Sequence, residues 1–133
     1  MAQVSIVIVS HSAKIGQGLV DLLRQLVGQD VHLESAAGFG EDIGTDATYI
    51  MEKIQACPTD TDVLVFFDLG SALMNTEMAL DLMPDAIRQR VHIVDAPLVE
   101  GAVAAAVKAR GNFASDEVIT SAMQAKGMDK IWK

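Results

Sequence analysis

The segment VSIVIV at residues 4–9, followed by SHS at residues 10–12, carries the clearest structural signal in the chain. All of its first six residues except Ser5 are apolar and β-branched, and polar residues do not alternate with them. Such a run is typical of a strand that is covered on both faces, as in a parallel sheet. Residues 63–67, VLVFF, and residues 91–94, VHIV, show a similar pattern, and residues 31–36 show a weaker one.

Helical patterns separate these strands. Apolar residues spaced three and four apart predict a helix from about Ala13 to Val27, which Gly28 ends. Further helices are predicted after Thr45 as N-cap, after Gly70-Ser71, from about Leu98 to Arg110, and after Ser115 as N-cap. Together these elements predict an α/β fold with a doubly wound, four-stranded, mainly parallel sheet in the order 2-1-3-4 and helices on both faces. We expect residues 1–133 to form this single domain.

The composition limits the classes of function. The chain has 10 basic and 18 acidic residues, so its formal net charge is −8. Nucleic acids and anionic membranes are bound through basic residues, so neither is an expected partner, whereas a basic protein is. No apolar stretch approaches the ~20 residues that cross a bilayer, and the single cysteine, Cys57, excludes an intrachain disulfide. These features favour a cytoplasmic protein.

Two residues with reactive side chains, His11 and Asp68, directly follow the first and third strands. In the order 2-1-3-4 these strands are neighbours where the winding of the sheet reverses, and ligands bind there at the carboxyl ends of the strands. We therefore expect His11 and Asp68 to be close in space. A carboxylate that accepts from one ring nitrogen fixes the imidazole tautomer and leaves the other nitrogen free to attack. The alternatives are a solvent-facing turn histidine and an aspartate that only caps a helix.

Two short segments have the composition of a phosphate-binding loop. Gly70-Ser71 and Gly44-Thr45 each precede a predicted helix, where backbone N–H groups and the helix dipole favour an anion. Metal-binding residue types do not cluster, so no metal site is expected. The remaining histidines, His32 and His92, lie within predicted strands and are expected to be structural.

Four segments together resemble one known family in order and spacing: IVIVSHS at residues 6–12, IGT at 43–45, DLGSA at 68–72 and DAPLVEGA at 95–102. The family consists of the phosphotransferase subunits of phosphotransferase-system-dependent dihydroxyacetone kinases, which are relatives of the mannose-type enzyme IIA domains. The resemblance extends over the chain to about Gly111. The combination is specific, although each segment alone is weak.

The resemblance implies a phosphotransferase that works through a phosphohistidine. His11 corresponds to the residue that receives the phosphoryl group from the phosphocarrier protein HPr and passes it to ADP on the nucleotide-binding subunit of the kinase. Asp68 corresponds to the aspartate that supports this histidine. The residues expected at the phosphoryl group or in its loops are Ser10, Ser12, Thr45, Gly70 and Ser71. The resemblance also implies a homodimer, separate carrier proteins, no cofactor bound by this chain, and Mg-ADP on the partner subunit.

Three other functions stay open at this point. A mannose-type enzyme IIA component of sugar transport would use His11 with a different acceptor. A receiver-type domain would be phosphorylated on Asp68, but it needs an acidic pair after the first strand, where this chain has Ser10-His11-Ser12. A flavin carrier is disfavoured because aromatic residues make up only 5% of the chain and few lie near the predicted site.

Overall fold

A computed structural model describes residues 2–131 of the chain. The strands are β1 (Val4–Val9), β2 (His32–Ser35), β3 (Asp62–Phe67) and β4 (Val91–Ile93). The helices are α1 (Ala13–Val27), α2 (Ala47–Gln55), α3 (Gly70–Asp81), α4 (Asp85–Arg88), α5 (Leu98–Ala109) and α6 (Ser115–Met123), followed by a 3₁₀ turn over Gln124–Gly127. None of the helices in this part of the chain is long and apolar enough to span a membrane. Trp132, for which the sequence predicts packing against the body or a partner, lies outside the described residues.

The four strands form one sheet in the order β2-β1-β3-β4, and the pairings between them are parallel. The predicted fold class and strand order are therefore confirmed. The pairing of β1 with β3 runs from Val4 opposite Asp62 to Val9 opposite Phe67. Because both strands end at the same level, the residues that follow Val9 and Phe67 meet at one edge of the sheet.

Helices cover both faces of the sheet, and a hydrophobic cluster fills each interface. Ile6, Ile8 and Phe66 pack against α1, α5 and α6 on one face. Val7 and Val65 pack against α2 and α3 on the other face, since alternate residues of a strand point to opposite sides. All residues of β1 are buried, which is why its sequence shows no polar alternation.

The predicted N-caps of two helices are wrong. Asp46 caps α2 instead of Thr45, and its side chain accepts a hydrogen bond from the Thr48 N–H at 3.0 Å. A carboxylate is at least as good an N-cap as a hydroxyl, and its charge also interacts favourably with the helix dipole. At α6 the N-cap is Ala114, and Ser115 is the first helical residue.

The sequence pattern does not predict α4, a single turn that begins after Pro84. One turn is too short to show an apolar period, so the pattern of spacing could not reveal it. The end of α1 is as predicted: Gly28 has a φ of 58° and its N–H donates to the Arg24 carbonyl at 2.8 Å. A residue with a side chain rarely adopts that backbone conformation.

Two glycines of α1 allow a matched test of how this helix packs. A Cβ added at Gly16 would lie 2.4 Å from the Ala37 Cβ and 2.6 Å from the Ser35 Oγ, whereas one at Gly18 would meet nothing within 4 Å. We expect Gly16→Ala to lower the free energy of unfolding by about 1–3 kcal/mol through overpacking. Gly18→Ala should raise it by about 0.5–1 kcal/mol, because alanine favours the helix. Urea unfolding measures both changes, and shifts of the same sign would contradict the packing described.

Candidate active site

His11 and Asp68 lie side by side at the carboxyl ends of β1 and β3, as the sequence predicts. The Nδ1 atom of His11 is 2.9 Å from the Oδ1 atom of Asp68. Because an ionised carboxylate can only accept hydrogen bonds, Nδ1 carries a proton, and in the neutral ring Nε2 is therefore the nitrogen with a lone pair. The histidine is therefore partnered and oriented, in contrast to a turn histidine without a role.

The His11 side chain is 19% exposed, which is less than its position between two serines at a strand end suggests. The reason is that both ring nitrogens have neighbours: Asp68 at Nδ1 and Ser71 at Nε2. The ring is thereby held in one orientation at the surface of the protein.

Asp68 is held in turn by donors from both loops. Its Oδ2 accepts from the Ser10 hydroxyl at 2.8 Å and from the His11 N–H at 3.0 Å, and its Oδ1 also accepts from the Leu69 N–H at 2.7 Å. Burial by itself raises the pKa of this carboxyl. The hydrogen bonds from the His11 backbone and ring, Ser10 and Leu69 outweigh that effect and hold the pKa below its ordinary value of 3.8. Asp68 is therefore ionised at neutral pH and can stabilise a positive charge on the ring.

Ser71 lies in the first turn of α3, and its Oγ is 2.5 Å from the Nε2 atom of His11. Since Nε2 is unprotonated in this tautomer, the Ser71 hydroxyl donates to it. The N–H groups of Gly70 and Ser71 have no acceptor within the helix, because the first turn of any helix lacks one. An anionic group on Nε2 would therefore meet a hydroxyl and the positive end of the α3 dipole.

The two serines that flank His11 have partners within the protein. Ser10 is fully buried, and its hydroxyl both donates to Asp68 and accepts from the Ser12 N–H at 3.2 Å. Ser12 is the N-cap of α1, where its Oγ accepts from the Ile15 N–H at 3.3 Å. Contact of either hydroxyl with a phosphoryl group stays a prediction.

The Gly44-Thr45 segment reaches His11 through its backbone. The Gly44 N–H donates to the His11 carbonyl at 2.8 Å, and the φ of Gly44 is 144°, a conformation that favours glycine. The Thr45 hydroxyl accepts a hydrogen bond from the side chain of Asn75 in α3. The sequence pattern does not single out Asn75, because one asparagine within a helix is not distinctive by itself. Its position one turn after Ser71 was the available signal.

The other two histidines are each paired with a carboxylate within or beside the sheet. His32 Nε2 is 2.6 Å from Glu34 Oε2, and His92 Nε2 is 3.2 Å from Asp62 Oδ2. These pairs fit the structural role that the sequence predicts for both residues. Within residues 2–131, no group of three or more His, Cys, Asp or Glu side chains is placed to hold a metal ion.

Curated proteins resemble the chain over most of its length. It is 39% identical over 117 residues to the "PEP-dependent dihydroxyacetone kinase 2, phosphoryl donor subunit DhaM" of Listeria innocua, an alignment that covers 87% of this chain and 94% of that protein. It is 44% identical over 126 residues to the corresponding DhaM subunit of Klebsiella michiganensis. That second alignment covers 92% of this chain but only 27% of the relative, which is much longer.

Solved structures agree with this fold. The crystal structure of a protein of unknown function matches with a TM-score of 0.88 and 32% identity, covering 97% of this chain and 98% of that one. The phosphotransferase system component EIIA from Streptococcus agalactiae matches with a TM-score of 0.67 at 16% identity, covering 96% of each chain, which shows a shared fold. The family model described as "PTS system fructose IIA component" matches residues 5–120. The chain therefore belongs to the EIIA-man family of the phosphotransferase system.

Proposed function

We propose that this chain is the phosphoryl donor subunit of a phosphoenolpyruvate-dependent dihydroxyacetone kinase and that His11 carries the phosphoryl group. The names of the similar Listeria and Klebsiella proteins support the role as a subunit. The proposal that His11 is the phosphorylated residue rests on the contact between His11 Nδ1 and Asp68 Oδ1. This contact places the proton of the neutral ring on Nδ1 and leaves Nε2 able to attack phosphorus.

In the proposed first step, phospho-HPr is the donor. The bond between phosphorus and the donor's histidine nitrogen breaks as a bond forms between phosphorus and Nε2 of His11. The Nδ1 proton stays on the ring, which becomes positively charged beside the ionised Asp68. The Ser71 hydroxyl, which donates to Nε2 in the free protein, turns to donate to a phosphoryl oxygen.

In the proposed second step, a terminal phosphate oxygen of ADP attacks the same phosphorus. The bond to Nε2 breaks, ATP forms, and the neutral ring of His11 is restored with its proton still on Nδ1. Mg-ADP is bound by the nucleotide-binding subunit in this scheme, and this chain binds no cofactor of its own. Catalysis is then mostly positioning and charge stabilisation, since phosphoryl transfer passes through a loose transition state.

The proposed partners are HPr and the nucleotide-binding subunit of the kinase, in the cytoplasm, with this chain as a homodimer. A second candidate function is an enzyme IIA component of sugar transport, which the family description as a fructose component favours. The phosphorylated protein distinguishes the two: it should give its phosphoryl group to an ADP-loaded kinase subunit and not to a transporter component.

The test of the proposed function is a mass measurement after incubation with phosphoenolpyruvate, enzyme I and HPr. We expect the mass to increase by one phosphoryl group, and the modification to be labile in acid and stable in alkali, as phosphohistidine is. An alkali-labile modification would instead identify an acyl phosphate on Asp68. Both oxygens of Asp68 already accept hydrogen bonds, which disfavours that carboxylate as a nucleophile.

Salt should slow the transfer from HPr to this chain. The net charge of −8 attracts a basic carrier, and ions screen that attraction. We expect the second-order rate constant to fall about tenfold between low and high ionic strength. Hydrolysis of the phosphorylated chain needs no partner and is the control, because its rate should stay nearly constant. A transfer rate that is insensitive to salt would contradict electrostatic steering.

A further inference from the structure

We propose that Asn75 is a positioning residue for phosphoryl transfer, which ties α3 to the loop over residues 38–45 and so fixes Ser71 relative to His11. The inference rests on the proposed function, because the step that Asn75 would support is transfer to His11. The hydrogen bonds of the Asn75 side chain go to Thr45, so Asn75 acts through Thr45 and α3.

A closed chain of contacts connects Asn75 to both sides of the histidine. The Asn75 side-chain N–H donates to the Thr45 hydroxyl, and the same Nδ2 lies 3.4 Å from the Thr45 carbonyl. The residue before Thr45, Gly44, donates its N–H to the His11 carbonyl at 2.8 Å. Ser71 lies one turn before Asn75 on the same face of α3 and touches Nε2 of His11.

The loop is held to the histidine segment at both of its ends. The Gly38 N–H donates to the Ser10 carbonyl at 2.9 Å, and the Gly44 N–H donates to the His11 carbonyl. Between these points the backbones of Phe39 and Asp42 pair with each other. The loop is therefore held in place relative to the end of β1. Because Asn75 joins α3 to this loop, the contact also holds α3 in place relative to the end of β1.

Within residues 2–131, the hydrogen bonds of the Asn75 side chain and of the Thr45 hydroxyl are those that join these two residues. Asp46 caps α2, so the Thr45 hydroxyl is not needed as an N-cap. Asparagine is a poor residue for a helix interior because its amide competes with the backbone. The start of α3 has no side-chain cap, since its N-cap residue is Leu69. The contact between Asn75 and Thr45 therefore stabilises the turn of α3 that follows Ser71.

Loss of this contact should affect the chemical step more than the binding of HPr. Phosphoryl transfer depends on the placement of the attacking nitrogen and the stabilising donor to within a fraction of an ångström. Asn75 and Thr45 are both half-buried, so removing their side-chain contact leaves most of the surface that HPr meets unchanged. We expect kcat to fall about tenfold with little change in KM.

The experiment is a double-mutant cycle with Asn75→Ala, Thr45→Val and the double variant, measured by rapid quench over a range of phospho-HPr concentrations that reaches saturation, so that kcat and KM are both obtained. Each single variant should be about tenfold slower, and the double variant no slower than either, because both remove the same contact. Thr45→Ser keeps the hydroxyl and should transfer at nearly the wild-type rate. Gln17→Ala removes an exposed amide hydrogen bond to Asp21 on α1 and is the matched control that should change nothing.

Amide hydrogen exchange gives a readout that does not depend on transfer. The Gly44 N–H should exchange about tenfold faster in Asn75→Ala and Thr45→Val than in the wild type, and at the wild-type rate in Thr45→Ser and Gln17→Ala. If the wild type is not phosphorylated on His11, the proposed function fails, and Gly44 exchange still tests the contact. If Asn75→Ala does not fold, Asn75→Leu replaces it, because leucine has nearly the same size and cannot hydrogen-bond to Thr45.

Several results would overturn the inference. One is a transfer rate in Asn75→Ala within about twofold of the wild-type rate, and another is an unchanged exchange rate of the Gly44 amide. A third is a double variant whose transfer rate is reduced by the product of the two single reductions. A Thr45→Val variant much slower than Asn75→Ala would show that Thr45 contacts the phosphoryl group itself, which would also overturn it.

Discussion

Replacement of His11 by alanine should reduce phosphoryl acceptance to the detection limit, a loss on the order of 10³-fold or more. The physical reason is that Nε2 of His11 is the atom to which the phosphorus bonds, and the neighbouring side chains offer no substitute. Without the ring, both oxygens of Asp68 still accept hydrogen bonds, from Ser10 and the backbone N–H of residue 11 at Oδ2 and from Leu69 at Oδ1. The Ser71 hydroxyl loses the ring nitrogen that could take its proton. The measurement is the mass of the protein after incubation with phosphoenolpyruvate, enzyme I and HPr.

The matched control for this variant is His32→Ala. His32 also pairs with a carboxylate, at 2.6 Å from Glu34, and it lies on the edge strand β2. This variant should be phosphorylated as fully as the wild type. Stable phosphorylation of the His11→Ala protein, or its loss in His32→Ala, would show that the carrier residue is elsewhere.

The second large effect is expected for Asp68→Asn, which should slow phosphoryl acceptance by about 10²- to 10³-fold. The substitution keeps the shape of the side chain but removes the negative charge that stabilises the phosphorylated, positively charged ring. An amide also offers one acceptor oxygen where the carboxylate offers two. The donors from Ser10, His11 and Leu69 then compete for it, and the ring loses its fixed tautomer. Rapid-quench kinetics with phospho-HPr measure the loss.

Asp62→Asn is the control for the charge change. Asp62 pairs with His92 at 3.2 Å at the start of β3, at the opposite end of this strand from Asp68. This variant removes one negative charge and one histidine–carboxylate contact without touching the site, so its transfer rate should match the wild type. Equal rates for Asp68→Asn and the wild type would mean that the carboxylate does not support the phosphorylated ring.

Much of the fold could be predicted because burial determines which residues the strands contain. β1 and the centre of β3 are covered on both faces, so their sequences are continuous apolar runs. The order 2-1-3-4 then followed from the alternation of strands and helices, and the structure confirms it. The cap of α2 is not predictable because Thr45 and Asp46 are both suitable caps by composition. The cap of α6 is Ala114, a residue type that composition disfavours there, so the pattern predicts Ser115 instead.

The meeting of His11 and Asp68 was predictable for a similar reason. Both residues follow strands that the topology makes neighbours, and the register of Val9 opposite Phe67 brings them to the same level. Ser71 was expected near the phosphoryl group, but its contact with Nε2 was not. The role of Asn75 is not predictable from the sequence, because its contact with Thr45 depends on how α3 is rotated against the loop.

The sequence by itself determined the strands, the longer helices, their parallel order and the edge of the sheet where the reactive residues lie. These follow from apolar periodicity and strand-end position, which are local properties of the chain. The tertiary structure alone decided which donors meet which acceptors: Ser71 at Nε2, Ser10 at Asp68 and Asn75 at Thr45. A hydrogen bond forms only within about 3 Å and a narrow range of angles. Whether residues distant in sequence satisfy that condition depends on the register of the strands and the rotation of the packed helices, which residue spacing does not encode.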